Sequence, residues 1–213
     1  RLYIDTPQNN STCYTTNSIK VSGWKMSNLS NTKIKAYVDN SQTPIEGTSI
    51  TYSKRNDVIN AVIGYGTSIE NPNPGFAFSI PASKLSNGKH TIKVVLYSAN
   101  SEILQQATTT VTVDKNLHVQ YRSHVQNVGW QGYSKDGGMA GTSGRGLRVE
   151  AMNINLLNAP ANASIIYRAH VQNVGWQNYV QNAQTAGTSG KGLRLEALNI
   201  KLQGSGLGFK IKY

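Results

Sequence analysis

One cysteine, Cys13, stands in 213 residues. A single thiol closes no internal disulfide and brings no partner for a thiolate metal site. Away from basic neighbours, such a residue is expected to be buried and inert. Long apolar runs are missing too. None approaches the roughly 18 residues that a membrane-spanning helix needs. Acidic residues are scarce, with 10 Asp and Glu against 21 Lys and Arg, for a net charge of +11. The scarcity deepens along the chain. Residues 1–115 carry 11 basic and 7 acidic side chains, and residues 116–213 carry 10 and 3. The basic residues never form a run, and no signature of a nucleic-acid-binding fold is present. A basic, acid-poor surface instead attracts other polyanions, such as anionic wall polymers. The charged fraction is only 15%, so Asn, Ser, Thr, Gln and Gly must make most of the surface. That composition suits hydrogen bonding to sugars.

What is present is a duplication. Tyr121 to Leu156 reads YRSHVQNVGWQGYSKDGGMAGTSGRGLRVEAMNINL, and Tyr167 to Leu202 reads YRAHVQNVGWQNYVQNAQTAGTSGKGLRLEALNIKL. Trp130 and Trp176 lie 46 residues apart, as do His124 and His170, and the register needs no gap. Such a period means one supersecondary unit stacked on its own copies. A unit of this size buries little core alone, so the copies should lean on each other. Any binding chemistry is also carried twice, which favours multivalent attachment over a single active site.

Both halves read as strands. In residues 1–115, period-two runs place Ile19, Val21 and Gly23 on one face, then Ile34, Ala36 and Val38, then Phe76, Phe78 and Ile80. Ile92, Val94 and Leu96 follow, then Val111 and Val113. Short alternating runs separated by Asn, Gly, Pro and Ser describe an antiparallel sandwich. Asn87-Gly88 signals a tight turn. Residues 57–63 are expected to form one or two helical turns, and Trp24 to be a core residue.

In the repeats, Leu117, Val119 and Tyr121 alternate, matched by Ala163, Ile165 and Tyr167, and again by Phe209, Ile211 and Tyr213. A third copy should thus open a strand at residues 209–213. Within a copy, Leu193, Leu195 and Ala197 share a face, after which Leu198, Ile200 and Leu202 take the opposite parity. Leu147, Val149 and Ala151, then Met152, Ile154 and Leu156, repeat the switch. A parity change inside a strand marks a β-bulge or a change of sheet.

Two resemblances sharpen this reading. Gly23-Trp24, Tyr37 to Asn40, Arg55 to Val58, Gly75 to Phe78 and Leu85 to Ile92 resemble an immunoglobulin-like accessory module of clostridial surface hydrolases. The resemblance implies a spacer, with Arg55 and Asp57 pairing to pin a loop. His124 to Trp130, Ala140 to Gly144, Gly146 to Arg148 and Glu150-Ala151 resemble the clostridial hydrophobic (ChW) repeat. The second copy matches at His170 to Trp176, Ala186 to Gly190, Gly192 to Arg194 and Glu196-Ala197. This resemblance implies a secreted or cell-surface protein, with attachment to the cell surface, to polysaccharide or to other proteins. The chain opens at Arg1 without an export leader and reads as a mature or excised piece of something larger.

The expected fold is therefore all-β. An immunoglobulin-like β-sandwich (1–115) precedes a ChW region (116–213) of two repeats (117–162 and 163–208) and the first strand of a third (209–213). The expected function is a non-catalytic extracellular binding module. Its partner is cell-wall polysaccharide, peptidoglycan or a teichoic-type polymer, with a surface protein as the alternative. No cofactor, metal or nucleic acid is implied.

Candidate ligand residues follow from sugar chemistry. An aromatic face covers the C–H side of a pyranose, and planar amides or charges meet its hydroxyls. Trp130, His124, Gln126, Gln131 and Tyr133 supply these groups in one copy, and Trp176, His170, Gln172, Gln177 and Tyr179 in the other. On an extended strand, His124, Gln126 and Trp130 would share a face. The same tryptophans also fit as hydrophobic anchors, with His and Gln satisfying loop backbone. Arg148–Glu150 and Arg194–Glu196 read either as a polar floor for a ligand or as salt bridges holding the sheet. Arg145 and Lys191, between loop glycines, are the candidates for touching an anionic polymer. A glycosidase needs two nearby carboxylates in different environments. Glu150 and Glu196 occupy equivalent positions in equivalent units, so catalysis is not expected.

Overall fold

The computed structural model describes residues 1–46 and 49–212. Its contacts divide the chain into two compact units, Arg1–Lys115 and Asn116–Tyr213.

Among its described residues, the first unit has eight strands: β1 (Leu2–Thr6), β2 (Ser11–Tyr14), β3 (Ser18–Lys25), β4 (Lys33–Val38), β5 (Thr51–Ser53), β6 (Gly75–Pro81), β7 (Gly88–Tyr97) and β8 (Ile103–Asp114). They form two four-stranded sheets, ordered β1-β3-β6-β5 and β2-β8-β7-β4. All pairings are antiparallel except β2 with β8. This is an immunoglobulin-like sandwich, in which the opening segment contributes to both sheets. The alternating residues meet between the sheets, and Val21, Ile80, Ile92, Val94 and Val111 are completely buried. Gly23 is required on β3, because a Cβ there would stand 2.0 Å from the Tyr3 carbonyl oxygen. Gly88 opens β7 with a φ of 122°, but the chain passes from β6 to β7 through a 3-10 turn at Ala82–Lys84 and residues 85–87 and not by a tight turn at Asn87-Gly88 alone.

The helical turns are a single helix, α1 (Asn56–Ala61), with Val58 buried. Trp24 departs from expectation. It points away from the sandwich interior because Ile19, Val21 and Gly23 hold the inward parity of β3. It stacks on Tyr3 with ring centroids 6.0 Å apart and packs on a separate cluster of Met26, Val58 and Val62. Arg55 does pair with Asp57, Nε to Oδ1 at 2.9 Å, and also reaches Asp5 on β1 at 2.9 Å. The loop is thus pinned to the sheet edge. Cys13 lies half-buried on β2, and burial raises its thiol pKa.

The second unit repeats one hairpin. In copy 1, β9 (His118–Val125) pairs with β12 (Val149–Leu157), and the short β10 (Gly129–Trp130) and β11 (Ser134–Lys135) lie on the other side of β9. In copy 2, β13 (Ser164–Val171) pairs with β17 (Leu195–Gln203), with β14 (Gly175–Trp176) and β15 (Val180–Gln181) across from it. One further strand, β16 (Thr185–Gly187), leaves its own copy and pairs antiparallel with β12 of copy 1. This is the lean of one copy on the other.

The parity switch is a bulge. Val149 and Ala151 oppose consecutive residues of β9, which leaves Glu150 as the extra residue. Leu195 and Ala197 do the same on β13, which leaves Glu196. The strand expected at 209–213 is not formed over Phe209–Lys212, and Tyr213 lies outside the described residues. In copies 1 and 2 the equivalent residues belong to a strand paired by later residues of the same copy. Ile211 nonetheless packs on the repeat core with Ile154, Ile165 and Tyr167.

Candidate functional site

The bulge sets the site. By inserting one residue, it aims Glu150 at the neighbouring strand end, where His124 Nδ1 is 3.3 Å from Oε2 and Arg148 Nη2 is 2.9 Å from Oε1. Copy 2 repeats this with Glu196, at 3.0 Å from His170 and 2.7 Å from Arg194. Of the two open readings of the Arg–Glu pairs, the salt bridge is formed in both copies. The histidine lies beside each pair: His170 Nδ1 hydrogen-bonds Glu196, whereas His124 Nδ1 is buried without a hydrogen-bond partner.

From the histidine a ladder of rings and cations continues. His124 meets Trp130 edge-on with centroids 5.4 Å apart, and His170 meets Trp176 at 5.3 Å. Hairpin register causes this, because Trp130 lies directly opposite His124 and Trp176 opposite His170. The Arg122 guanidinium then lies 4.8 Å from the Trp130 ring and 4.8 Å from the Tyr133 ring. Arg168 repeats both distances with Trp176 and Tyr179. A cation between two rings gains about 0.5–1 kcal/mol per contact when exposed and more when dry. Each ladder therefore runs Tyr, Arg, Trp, His, Glu, Arg. Arg122 and Arg168 were not among the sequence candidates. Their signal was available: both sit at the same place in each copy, two residues before the histidine and on its side of the strand.

The ladders are open to solvent. Tyr133 is 45% exposed, Trp176 46% and Tyr179 37%, while Trp130 is half-buried. Within each ladder, Arg122 Nε and Arg168 Nε are buried without a hydrogen-bond partner. The carboxylates differ between copies. The Glu150 side chain is 4% exposed and that of Glu196 30%.

The amide candidates divide. Gln126 does not share a face with His124, because the strand ends at Val125 and a hairpin turn intervenes. Asn127 adopts a φ of 59°, and the Val128 N–H donates to the Val125 carbonyl at 3.1 Å. Gln126 occupies that turn and donates its backbone N–H to the Arg148 carbonyl. Gln172 donates likewise to Arg194, whose N–H its side chain accepts at 3.4 Å. Gln131 is a loop clamp. Its Nε2 donates to the Gly141 carbonyl at 3.1 Å and its Oε1 accepts the Gly141 N–H at 2.8 Å. Gln177 clamps Gly187 in the same way, at 3.3 and 2.7 Å. Both therefore satisfy backbone. Arg145 and Lys191 are exposed and stand between left-handed glycines. Among the described residues, no hydrogen bond, ion pair or ring contact ties them to the ladder.

Asp136 is structural. It accepts the Val119 N–H at 3.1 Å and pairs with His118 at 2.6 Å. Asn182 accepts the equivalent Ile165 N–H in copy 2. Among the described residues, no group of three or more His, Cys, Asp and Glu could hold a metal ion. No helix among them is long and apolar enough to cross a membrane.

The arrangement defines a class: a β module that presents the same aromatic and cationic surface twice. Residues 124–158 and 170–204 match the model of the family described as Clostridial hydrophobic W. The second unit thus carries two ChW repeats. Repeats of this family occur in clostridial surface proteins, and both they and immunoglobulin-like domains are non-catalytic module types. No curated protein matches the chain. Among solved structures, the D00-D0 domain of Intimin matches at 15% identity over 99% of this chain and 96% of that chain, with a TM-score of 0.22. The strand orders β1-β3-β6-β5 and β2-β8-β7-β4 make the first unit immunoglobulin-like.

Proposed function

We propose that this chain is a non-catalytic extracellular module that holds on to bacterial cell-wall glycan or an associated anionic polymer through its two ChW repeats. The observation that carries the reading is the pair of solvent-open ladders with matching geometry. An exposed ring supplies the apolar face that a pyranose needs. The ladder arginines, with Arg145 and Lys191 nearby in sequence, supply charge for phosphate or carboxylate groups. Each copy sets two ladder arginines against one glutamate, so the surface stays cationic even with the salt bridges formed. Two weak sites on one chain act together on a repeating polymer.

The alternative is a protein partner. It draws on Val128 and Val174, which are exposed at the equivalent tips of the tryptophan hairpins. Salt distinguishes the two, since attraction to a polyanion fades as ionic strength rises.

The test is co-sedimentation of the full chain with purified Gram-positive cell walls, before and after the anionic polymers are stripped. The wild type is expected to pellet, and Trp130→Ala/Trp176→Ala to stay in solution. Failure of the wild type to pellet with either wall preparation refutes the reading. A folded double variant that still pellets removes the ladder from the site.

A further inference from the structure

Copies 1 and 2 share an apolar core and a strand seam. The β16 strand lies along β12, with Gly187 opposite Ala151, Ala186 opposite Met152 and Thr185 opposite Asn153. The Ala183 N–H donates to the Ile154 carbonyl at 2.8 Å, and the Thr188 N–H to the Glu150 carbonyl at 2.9 Å. Ile154 in turn donates its N–H to the Tyr167 hydroxyl at 2.9 Å. Gly187 lets the strands approach, since a Cβ there would stand 2.4 Å from the Glu150 oxygen.

Each copy carries both halves of this seam, yet only one seam forms. Among the described residues, β17 pairs with β13 alone, so its outer edge is open. Ala197 is exposed there, whereas its counterpart Ala151 is fully buried. At the other end, Met139 to Gly141 are the counterparts of β16 and pair with no strand. Met139 is 70% exposed.

The opening of copy 1 and the segment after copy 2 meet at one place. A cavity is lined by Leu117 and Val119, which open copy 1, by Phe209 and Ile211, and by Leu156 and Leu202 from the strand ends of copies 1 and 2. Phe209 and Ile211 stand two periods after Leu117 and Val119. In a straight stack, residues two periods apart would be separated by a whole copy. Here they share one cavity, so the copies turn about an axis and return.

We infer that the second unit is two thirds of a closed three-fold arrangement, and that the β17 edge together with Met139–Gly141 is a docking site for one further ChW repeat entered through Phe209–Lys212. The incoming repeat lays its own counterpart of β16 on β17, and receives Met139–Gly141 on its own long strand. Phe209–Lys212 already occupies the opening position of that third copy. A repeat joined there therefore needs no further linker.

The test extends the full chain after Tyr213 with a second copy of residues 168–208, and follows amide hydrogen exchange at Ile200, the counterpart of Ile154. Docking is expected to slow Ile200 by about tenfold, the worth of one hydrogen bond, while the extended chain stays monomeric by sedimentation. A parallel extension with residues 122–162 guards against one appended sequence failing to fold. Unchanged Ile200 exchange in both extended chains overturns the inference. So does concentration-dependent association of the 213-residue chain that slows Ile200 and is abolished by Leu198→Pro, since the occupant is then a second molecule.

Discussion

Tyr121 and Tyr167 have the same place in the repeat, and removing their hydroxyls should have unequal consequences. Tyr167 is fully buried at the seam. Its hydroxyl donates to the Gln184 carbonyl and accepts the Ile154 N–H. Tyr167→Phe leaves the buried Ile154 amide and the partly buried Gln184 carbonyl without this partner. Each such loss costs about 1–3 kcal/mol, and the pair together about 2–4 kcal/mol with partial relaxation. Tyr121 makes only the first of these bonds, to Gly138 at 2.7 Å, in an exposed setting. Water replaces that partner, so Tyr121→Phe should cost less than about 1 kcal/mol. The assay is urea unfolding of the full-length variants, read by tryptophan fluorescence, with amide exchange at Ile154 as the local probe. Tyr167→Phe should accelerate Ile154 exchange by more than tenfold, and Tyr121→Phe should leave it unchanged. Equal destabilisation by the two substitutions, or unaltered Ile154 exchange in Tyr167→Phe, would refute the seam as the source of the difference.

Three other outcomes are expected. Ile92→Ala empties a completely buried site between the two sheets and should lower stability by about 2–5 kcal/mol, measured as the shift in denaturant midpoint. Acid should weaken the fold through Asp39 and Asp136. Partial burial by itself would raise both carboxyl pKa values, but His90 with the Thr91 amide, and His118 with the Val119 amide, outweigh it and hold them below 3.8. A carboxylate with a lowered native pKa contributes stability above its unfolded value and loses it as pH falls through the native one. Urea midpoints should therefore be insensitive to these groups above pH 5 and decline below about 3.8, with a shallower decline in Asp39→Asn/Asp136→Asn; an identical decline in that variant would contradict the assignment. Arg122→Lys/Arg168→Lys keeps the charge but loses the planar stack between two rings. It should leave the fold intact and weaken cell-wall pelleting, read against the same wall preparations as the tryptophan variant.

Much of the fold was legible because strand alternation leaves a direct trace in the sequence. The inward residues of β3, β4, β6, β7 and β8 are the alternating ones. The parity switch marked both places to within a residue while leaving a bulge or a change of sheet open, and the pairing around Glu150 and Glu196 makes it a bulge. Trp24 was misplaced because its parity on β3 outranks its hydrophobicity. Gln126 was misplaced because an extended strand was assumed where Asn127 turns the chain. Gln131 and Gln177 have the right chemistry for a ligand, yet they bond loop backbone. Arg122 and Arg168 were overlooked because an arginine on a strand is unremarkable until two rings close on it, and both rings arrive from beyond the turn.

The sequence by itself determined the duplication, its register, the strand pattern and the position of the parity switch. These follow from local stereochemistry and from identity between copies, and both are written along the chain. Only the tertiary structure decided that the copies differ. Glu150 is buried and Glu196 partly open, and Tyr167 makes a bond that Tyr121 lacks, though their local sequences are nearly the same. The reason is position along the array: copy 1 receives the β16 strand of copy 2 along its edge, and the corresponding edge of copy 2 receives none from the described residues.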